Sequence, residues 1–136
     1  MVHWTENEIA GIAKWNTLDC EKLVARSLKR MFTVFPWTHR YFEKRDNFTV
    51  EGHAKKVSGK ITEVVKDVNN IKCNFTALSK FHAEVLHVDS GSFHLLTDCI
   101  IIELAQLSDG NFNPKVHAIW HKFFAVLVDA ISKQYH

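Results

Sequence analysis

The chain has 136 residues, of which 46% are hydrophobic and 24% charged, with a formal net charge of +2. That is one domain's length, enough for a real core, and the charge is too small to argue for nucleic acid or a membrane surface as partner. The N-terminal MVHWTENE lacks a basic segment followed by an apolar one, so no signal peptide is expected, and the longest clean apolar run, FFAVLV, is far short of a membrane span.

In chain order the pattern is helical almost throughout. Thr5 and Glu8 form a T-x-x-E capping box that opens a first helix through Ile9, Ile12 and Ala13. Asp19 caps a second helix, which runs to Phe35, where Pro36 ends or redirects it. A short helical turn from Trp37 to Phe42 leads into the polar EKRDN. The next helix buries Val50, Ala54, Val57, Ile61, Val64 and Val68, and Asn69-Asn70 stops it. A helix over 78–89 follows, then VDSGS breaks the chain before a helix from Phe93 to Leu107. Asn113 caps the last helix with Pro114 at its first position, and Val116, Ile119, Trp120, Phe123, Phe124, Leu127, Val128 and Ile131 recur at helical spacing. No sustained period-2 run competes, and there are no repeats or linkers. The reading is all-α, a single domain over 1–136.

Two helices carry an imidazole where the pattern calls for an aliphatic side chain. With about 100° of rotation per residue, His82 falls between Leu78 and Leu86 on an apolar face. The same count from Val50 puts His53 at the edge of its helix's apolar face, one turn before Val57. A lone histidine in such a place is more often a core residue bonded to a carbonyl, and the chain has nine histidines. Two that face one cavity say more, because each buried imidazole needs a polar partner. An iron porphyrin satisfies both, offering a metal to one and a polar exogenous ligand to the other inside apolar walls.

Other chemistry is poorly represented. There is no HExxH, Gly-rich phosphate loop or GxSxG. Glu51 and Glu84 phase away from the apolar faces and read as solvated charges rather than the carboxylate of a two-histidine metal site. Lys55 and Lys56 read as surface residues, with Lys56 able to reach over a pocket rim to an anionic group. Three cysteines, Cys20, Cys73 and Cys99, are widely spaced without a CxxC pair, which favours reduced thiols in a cytosolic setting.

FPWTHRYF (35–42), GHAKKVSG (52–59), FTALSKFHAEVLHVD (75–89) and the terminal QYH (134–136) resemble the corresponding stretches of vertebrate haemoglobin β chains, in the globin family. The likeness runs over essentially the whole chain, and the separation of His53 and His82 matches the family. The resemblance implies the globin fold, with a haem pocket between the distal and proximal histidine helices. It implies a b-type haem (iron protoporphyrin) and reversible binding and transport of O2, with CO as a further ligand, rather than an enzyme. His82 would be the proximal iron ligand, and His53 the distal residue that donates a hydrogen bond to oxygen, with Val57 crowding the ligand side. Phe42, Leu78, Val88, Phe93, Leu96 and Ile131 would contact the porphyrin as an apolar wall. Lys56, with Lys44 as a second candidate, would meet the haem propionates.

The same resemblance implies α-type globin chains as partners in an α2β2 tetramer, in the cytosol of red blood cells. Trp37, Arg40, His87 and Asp89 resemble the contact that slides between quaternary states, while Arg30, Phe112, His117 and His121 resemble the tighter one. Val2, His3, Lys72 and Lys133 occupy the family's positions for an organic phosphate such as ATP, where charges from two β chains converge. Glu84 and His136 would be the proton-linked pair of the low-affinity state.

The chain departs from the family in places. Only ten residues lie between Phe42 and His53, fewer than β chains usually have, so the short helix found there in the family is expected to be missing. Ser92 stands where Asn is usual, and Ala83 where a Cys follows the proximal histidine. Two other functions compete: a haem electron carrier with both His53 and His82 on iron, and a haem-free metalloenzyme. An absorption spectrum separates them, because an open sixth site is high-spin and responds to CO, a two-histidine carrier is low-spin unaided, and a zinc enzyme has no Soret band.

Overall fold

The computed structural model describes residues 3–40, 49–71, 90–107 and 112–132, with side chains described for all of these except 70, 90–93, 131 and 132. Among the described residues there are five α-helices and no strand: α1 (Glu6–Ala13), α2 (Cys20–Val34), α3 (Val50–Lys66), α4 (Ser90–Leu107) and α5 (Pro114–Ser132). Short 3-10 turns at Lys14–Thr17, Pro36–His39 and Val68–Asn70 redirect the chain after α1, α2 and α3.

The helix starts are set by local side-chain chemistry. Thr5 Oγ1 accepts from the Glu8 amide at 3.1 Å, and the Glu8 carboxylate accepts from the Thr5 amide at 2.9 Å, completing the predicted box. Asp19 and Asn113 cap α2 and α5 by accepting from the amides of Lys22 and Val116. Thr49 caps α3 by accepting from the Gly52 amide at 3.0 Å. A Cβ on Gly52 would lie 2.7 Å from that Thr49 hydroxyl, so glycine is what lets the cap close.

Several boundaries differ from the sequence reading: α2 ends at Val34 rather than Phe35, and the turn after it starts at Pro36 rather than Trp37. The helix expected from Phe93 begins at Ser90. The first amides of a helix have no intrahelical acceptor in any case, so Ser and Gly cost little in that turn. The helix expected to stop at Asn69-Asn70 ends at Lys66, and Val68–Asn70 tightens into a 3-10 turn. Within it Val50 is half-buried, while Ala54, Val57, Ile61 and Val64 are buried as expected.

α2 is the central element, packing against α3 on one side and α4 on another, while α5 packs against α4 and α1. Leu23, Val24, Leu28 and Met31 from α2 meet this core at helical spacing. Its far end is aromatic. Trp15 and Trp120 rings lie 6.1 Å apart, and Phe123 and Phe124 meet edge to face at 5.2 Å. Trp15 is fully buried, and its indole N–H donates to Thr62 Oγ1 at 3.0 Å, which ties the first connection to α3.

α1 is held down by α5. Gly11 lets the helices approach, since a Cβ there would sit 3.3 Å from an Ile119 methyl. Lys122 Nζ donates to the His3 carbonyl at 2.7 Å and to both Glu8 carboxylate oxygens at 2.9 Å, and it lies 4.6 Å from the centre of the Trp4 ring. Glu8 therefore serves the cap and the clamp together. The Thr5 amide, then the Lys122 ammonium, hold its carboxyl below the ordinary value.

Candidate functional site

Because the start of α3 is fixed by the Thr49 cap, the helical phase puts His53 and Val57 one turn apart on a single inward face. His53 is only 6% exposed and Val57 5%, between the fully buried Ala54 and the buried Ile61. An imidazole buried on this apolar face has lost most of its hydration, which calls for compensation by a polar group. Its Nε2 is buried and has no hydrogen-bond partner among the described residues, although the residue interacts elsewhere. Lys55 and Lys56 are exposed, as the sequence predicts.

Leu96 is buried on α4. The remaining proposed pocket residues lie outside the description: His82, Phe42, Lys44, Leu78 and Val88 wholly, and Phe93 and Ile131 in their side chains. Glu51, the carboxylate considered for a non-haem metal site, is exposed and faces the Lys29 ammonium at 3.7 Å. No group of three or more His, Cys, Asp or Glu among the described residues is arranged to hold a metal ion.

A second constellation was not anticipated from the sequence. Glu103, on α4, is buried, and its two oxygens accept from Arg30 Nε at 3.0 Å and Arg26 Nε at 3.1 Å. The two arginines are one turn apart on α2, so a single carboxylate cross-links α2 to α4 through charge-assisted bonds. The same phase count that singled out His53 places Glu103 beside Leu96, Ile100 and Leu104, so the signal was present in the sequence. Arg26, Lys29, Arg30, Thr33, Val34 and Glu103 line a notch of about 360 Å³ here.

Four large hydrophobic side chains are exposed among the described residues. Val34 and Leu107 are about half exposed, Ile102 is 43% exposed and Trp37 53%. The Trp37 ring meets Phe35 edge-on at 5.5 Å, leaving most of the indole in solvent. Arg40 is exposed beyond it. Phe112 is half-buried against the core and meets the His117 ring at 5.8 Å, while His117 and His121 are both exposed on α5. The structure therefore gathers Phe112, His117 and His121 on one helix end, and ties Arg30 to Glu103. His87 and Asp89, also expected at the sliding contact, lie outside the described residues.

Of the residues expected to bind an anion, His3 is exposed and its carbonyl is bound by Lys122. Val2, Lys72, Lys133, Glu84 and His136 lie outside the described residues. No helix among the described residues is long and apolar enough to cross a membrane. Burial raises the thiols of Cys20 and Cys99 from 9.0 to about 11, which keeps both poor nucleophiles near neutral pH.

Comparison with known proteins matches residues 25–131 to the globin family. The chain is 53% identical to hemoglobin subunit beta of Mustelus griseus over 137 residues, covering 100% of both chains. It is 48% identical to hemoglobin subunit beta of Heterodontus portusjacksoni over 141 residues, covering 99% and 100%. Among solved structures, the deoxy form of haemoglobin from Mustelus griseus superimposes with a TM-score of 0.93 at 52% identity, over 99% of this chain and 100% of that one. The deoxy form from Dasyatis akajei does so at 0.90 with 34% identity and the same coverage.

Proposed function

This chain belongs to the globin family, and on that premise we propose that it is the β-type, haem-binding subunit of an oxygen-carrying haemoglobin in red blood cells. The observation that carries the reading is the buried imidazole of His53 on the apolar face of α3, in a chain whose relatives are haemoglobin β subunits. A buried imidazole followed one turn later by a buried valine fits the ligand side of a haem.

The haem, when bound, supplies a ferrous iron that takes O2 reversibly. The residues of this chain make that exchange useful. His82 would hold the iron. His53 would present a donor N–H to the bound ligand and so favour its polarised form, and Val57 would limit the space beside it. Leu96 with Leu78, Val88, Phe93, Ile131 and Phe42 keeps water and anions away, and Lys56 reaches the propionates at the rim.

The exposed apolar residues support assembly. Trp37 and Arg40 join His87 and Asp89 at a contact with an α-type chain, and Arg30, Phe112, His117 and His121 form another. Aromatic residues and arginine are enriched at such surfaces. Rotation of subunits between two quaternary states is a general property of haemoglobin tetramers, and the proposal concerns its placement on these residues. His3, Val2, Lys72 and Lys133 are assigned to an organic phosphate such as ATP, and Glu84 with His136 to oxygen-linked proton uptake.

The test is a pair of variants read by spectroscopy and oxygen equilibrium. His82→Ala is expected to lose stable haem retention. His53→Val is expected to keep the haem, bind oxygen about tenfold more weakly, and oxidise faster, in line with one hydrogen bond of about 1 kcal/mol or somewhat more. Unchanged affinity and oxidation in His53→Val would overturn the distal role, and a low-spin ferrous spectrum without added ligand would make the protein a two-histidine electron carrier instead.

A further inference from the structure

We propose that His117 and His121 form a two-point site for a zinc-class divalent cation on the exposed face of α5. The residues are four apart on a regular helix, so their side chains rise from the same face. Their ring centroids are 6.1 Å apart and the planes are inclined by 47°. Zinc bonded to imidazole nitrogens at about 2.0–2.1 Å in tetrahedral geometry holds two ring centres roughly 5 Å apart. A small torsional adjustment of two exposed side chains closes that difference.

Little nearby competes for the rings. Among the described residues no carboxylate pairs with either histidine, whereas His94, also four residues from a potential partner, has its Nε2 3.3 Å from Asp98 Oδ2. Lys122, adjacent to His121 in sequence, is committed to Glu8 and the His3 carbonyl, so its ammonium does not oppose a cation at the pair. Phe112 meets the His117 ring at 5.8 Å and narrows the positions that ring can occupy. Imidazole nitrogens suit zinc, copper and nickel rather than calcium or magnesium. No third protein ligand joins the pair among the described residues, so solvent completes the coordination.

The site has a consequence that rests on the assembly reading above. The same two histidines are assigned to the tight contact with an α-type chain. A cation seated across them, with its shell of water, occupies the ground the partner needs. Metal binding and assembly then exclude one another, and zinc marks the unassembled chain.

Isothermal titration of ZnCl2 into the isolated haem-loaded chain tests the site. The expected result is one zinc with a dissociation constant of about 1 to 100 μM, weakened at least tenfold in both His117→Ala and His121→Ala and unchanged in His94→Ala. Absence of binding below about 1 mM, or binding that both α5 variants leave intact, overturns it. Sedimentation of the chain with its α-type partner then tests the consequence. Saturating zinc is expected to shift the mass toward unassembled chains, and chelation to restore it. If zinc binds at the pair and the mass does not move, the metal site stands and the placement of these histidines in the partner contact is wrong.

Discussion

Two tryptophans receive opposite treatment. Trp15 is fully buried, packs near Trp120, and has its N–H satisfied by Thr62. Trp37 is 53% exposed, touches Phe35, and lies on the same molecule as exposed Val34, Ile102 and Leu107. The folding of this chain accounts for the first completely. It does not account for the second, because an isolated domain gains little by turning an indole outward beside a proline-directed bend. The difference separates residues that this chain needs to fold from residues that wait for another surface.

The largest expected effect lies at the buried indole. Trp15→Ala should destabilise the fold by about 3–5 kcal/mol, and Trp15→Phe should recover most of that but not the roughly 1 kcal/mol of the bond to Thr62. Urea unfolding of the three proteins reads both numbers. A loss under about 1 kcal/mol in the alanine variant would break the contrast from the inside.

Glu103 sharpens the comparison because it joins interior to surface. Glu103→Gln keeps the shape but leaves Arg26 and Arg30 without their shared charge, and should cost about 1–3 kcal/mol. The larger penalty of a broken, fully buried pair is not expected, since the two guanidiniums reach solvent. A variant with unchanged urea midpoint would show that the carboxylate cross-link contributes nothing.

At the exposed indole the prediction inverts. Trp37→Glu should alter the stability of the isolated chain by less than about 0.5 kcal/mol, yet shift the assembled mass from tetramer toward dimer in ultracentrifugation. Normal mass would remove Trp37 from the partner contact. Destabilisation matching Trp15→Ala would abolish the distinction altogether.

The last effect is confined to alkaline pH. Burial holds the thiols of Cys20 and Cys99 neutral in the folded chain up to about 11, against an ordinary 9.0. The unfolded chain then loses these protons first as pH rises, so the stability they contribute is fully present below 9 and declines between about 9 and 11. In a Cys73→Ser background, Cys99→Ala should flatten the alkaline slope of stability. An identical slope would mean that the buried thiol titrates normally.

How much of this was legible in the sequence depends on the range of the interaction involved. Thr5 with Glu8, Asp19 and Asn113 act on amides three residues away, so their caps could be read directly. His53 could be read from helical phase alone, since α3 keeps a regular period. The start of α4 was misplaced because Ser90-Gly91-Ser92 is a weak helix-forming stretch, tolerated where no intrahelical amide bond is required. The Glu103 cluster was missed for a different reason: its partners lie 77 and 73 residues away, and apolar periodicity carries no pairing information across that distance. Phase does place Glu103 inward, and Arg26 and Arg30 recur at one-turn spacing, but only the packing of α2 on α4 brings them together.

The clamp on α1 also sets an order of events during synthesis. Lys122 bonds to Glu8 across 114 residues and to His3 across 119. At about 5–20 residues per second, the N-terminal helix is synthesised on the order of 6 to 23 s before its lysine. Through that interval Trp4 has neither the Phe123 ring nor the ammonium that it meets in the finished fold. The first helix to emerge therefore completes its docking late, and a chain truncated before α5 would lack most of the surface on which that helix settles.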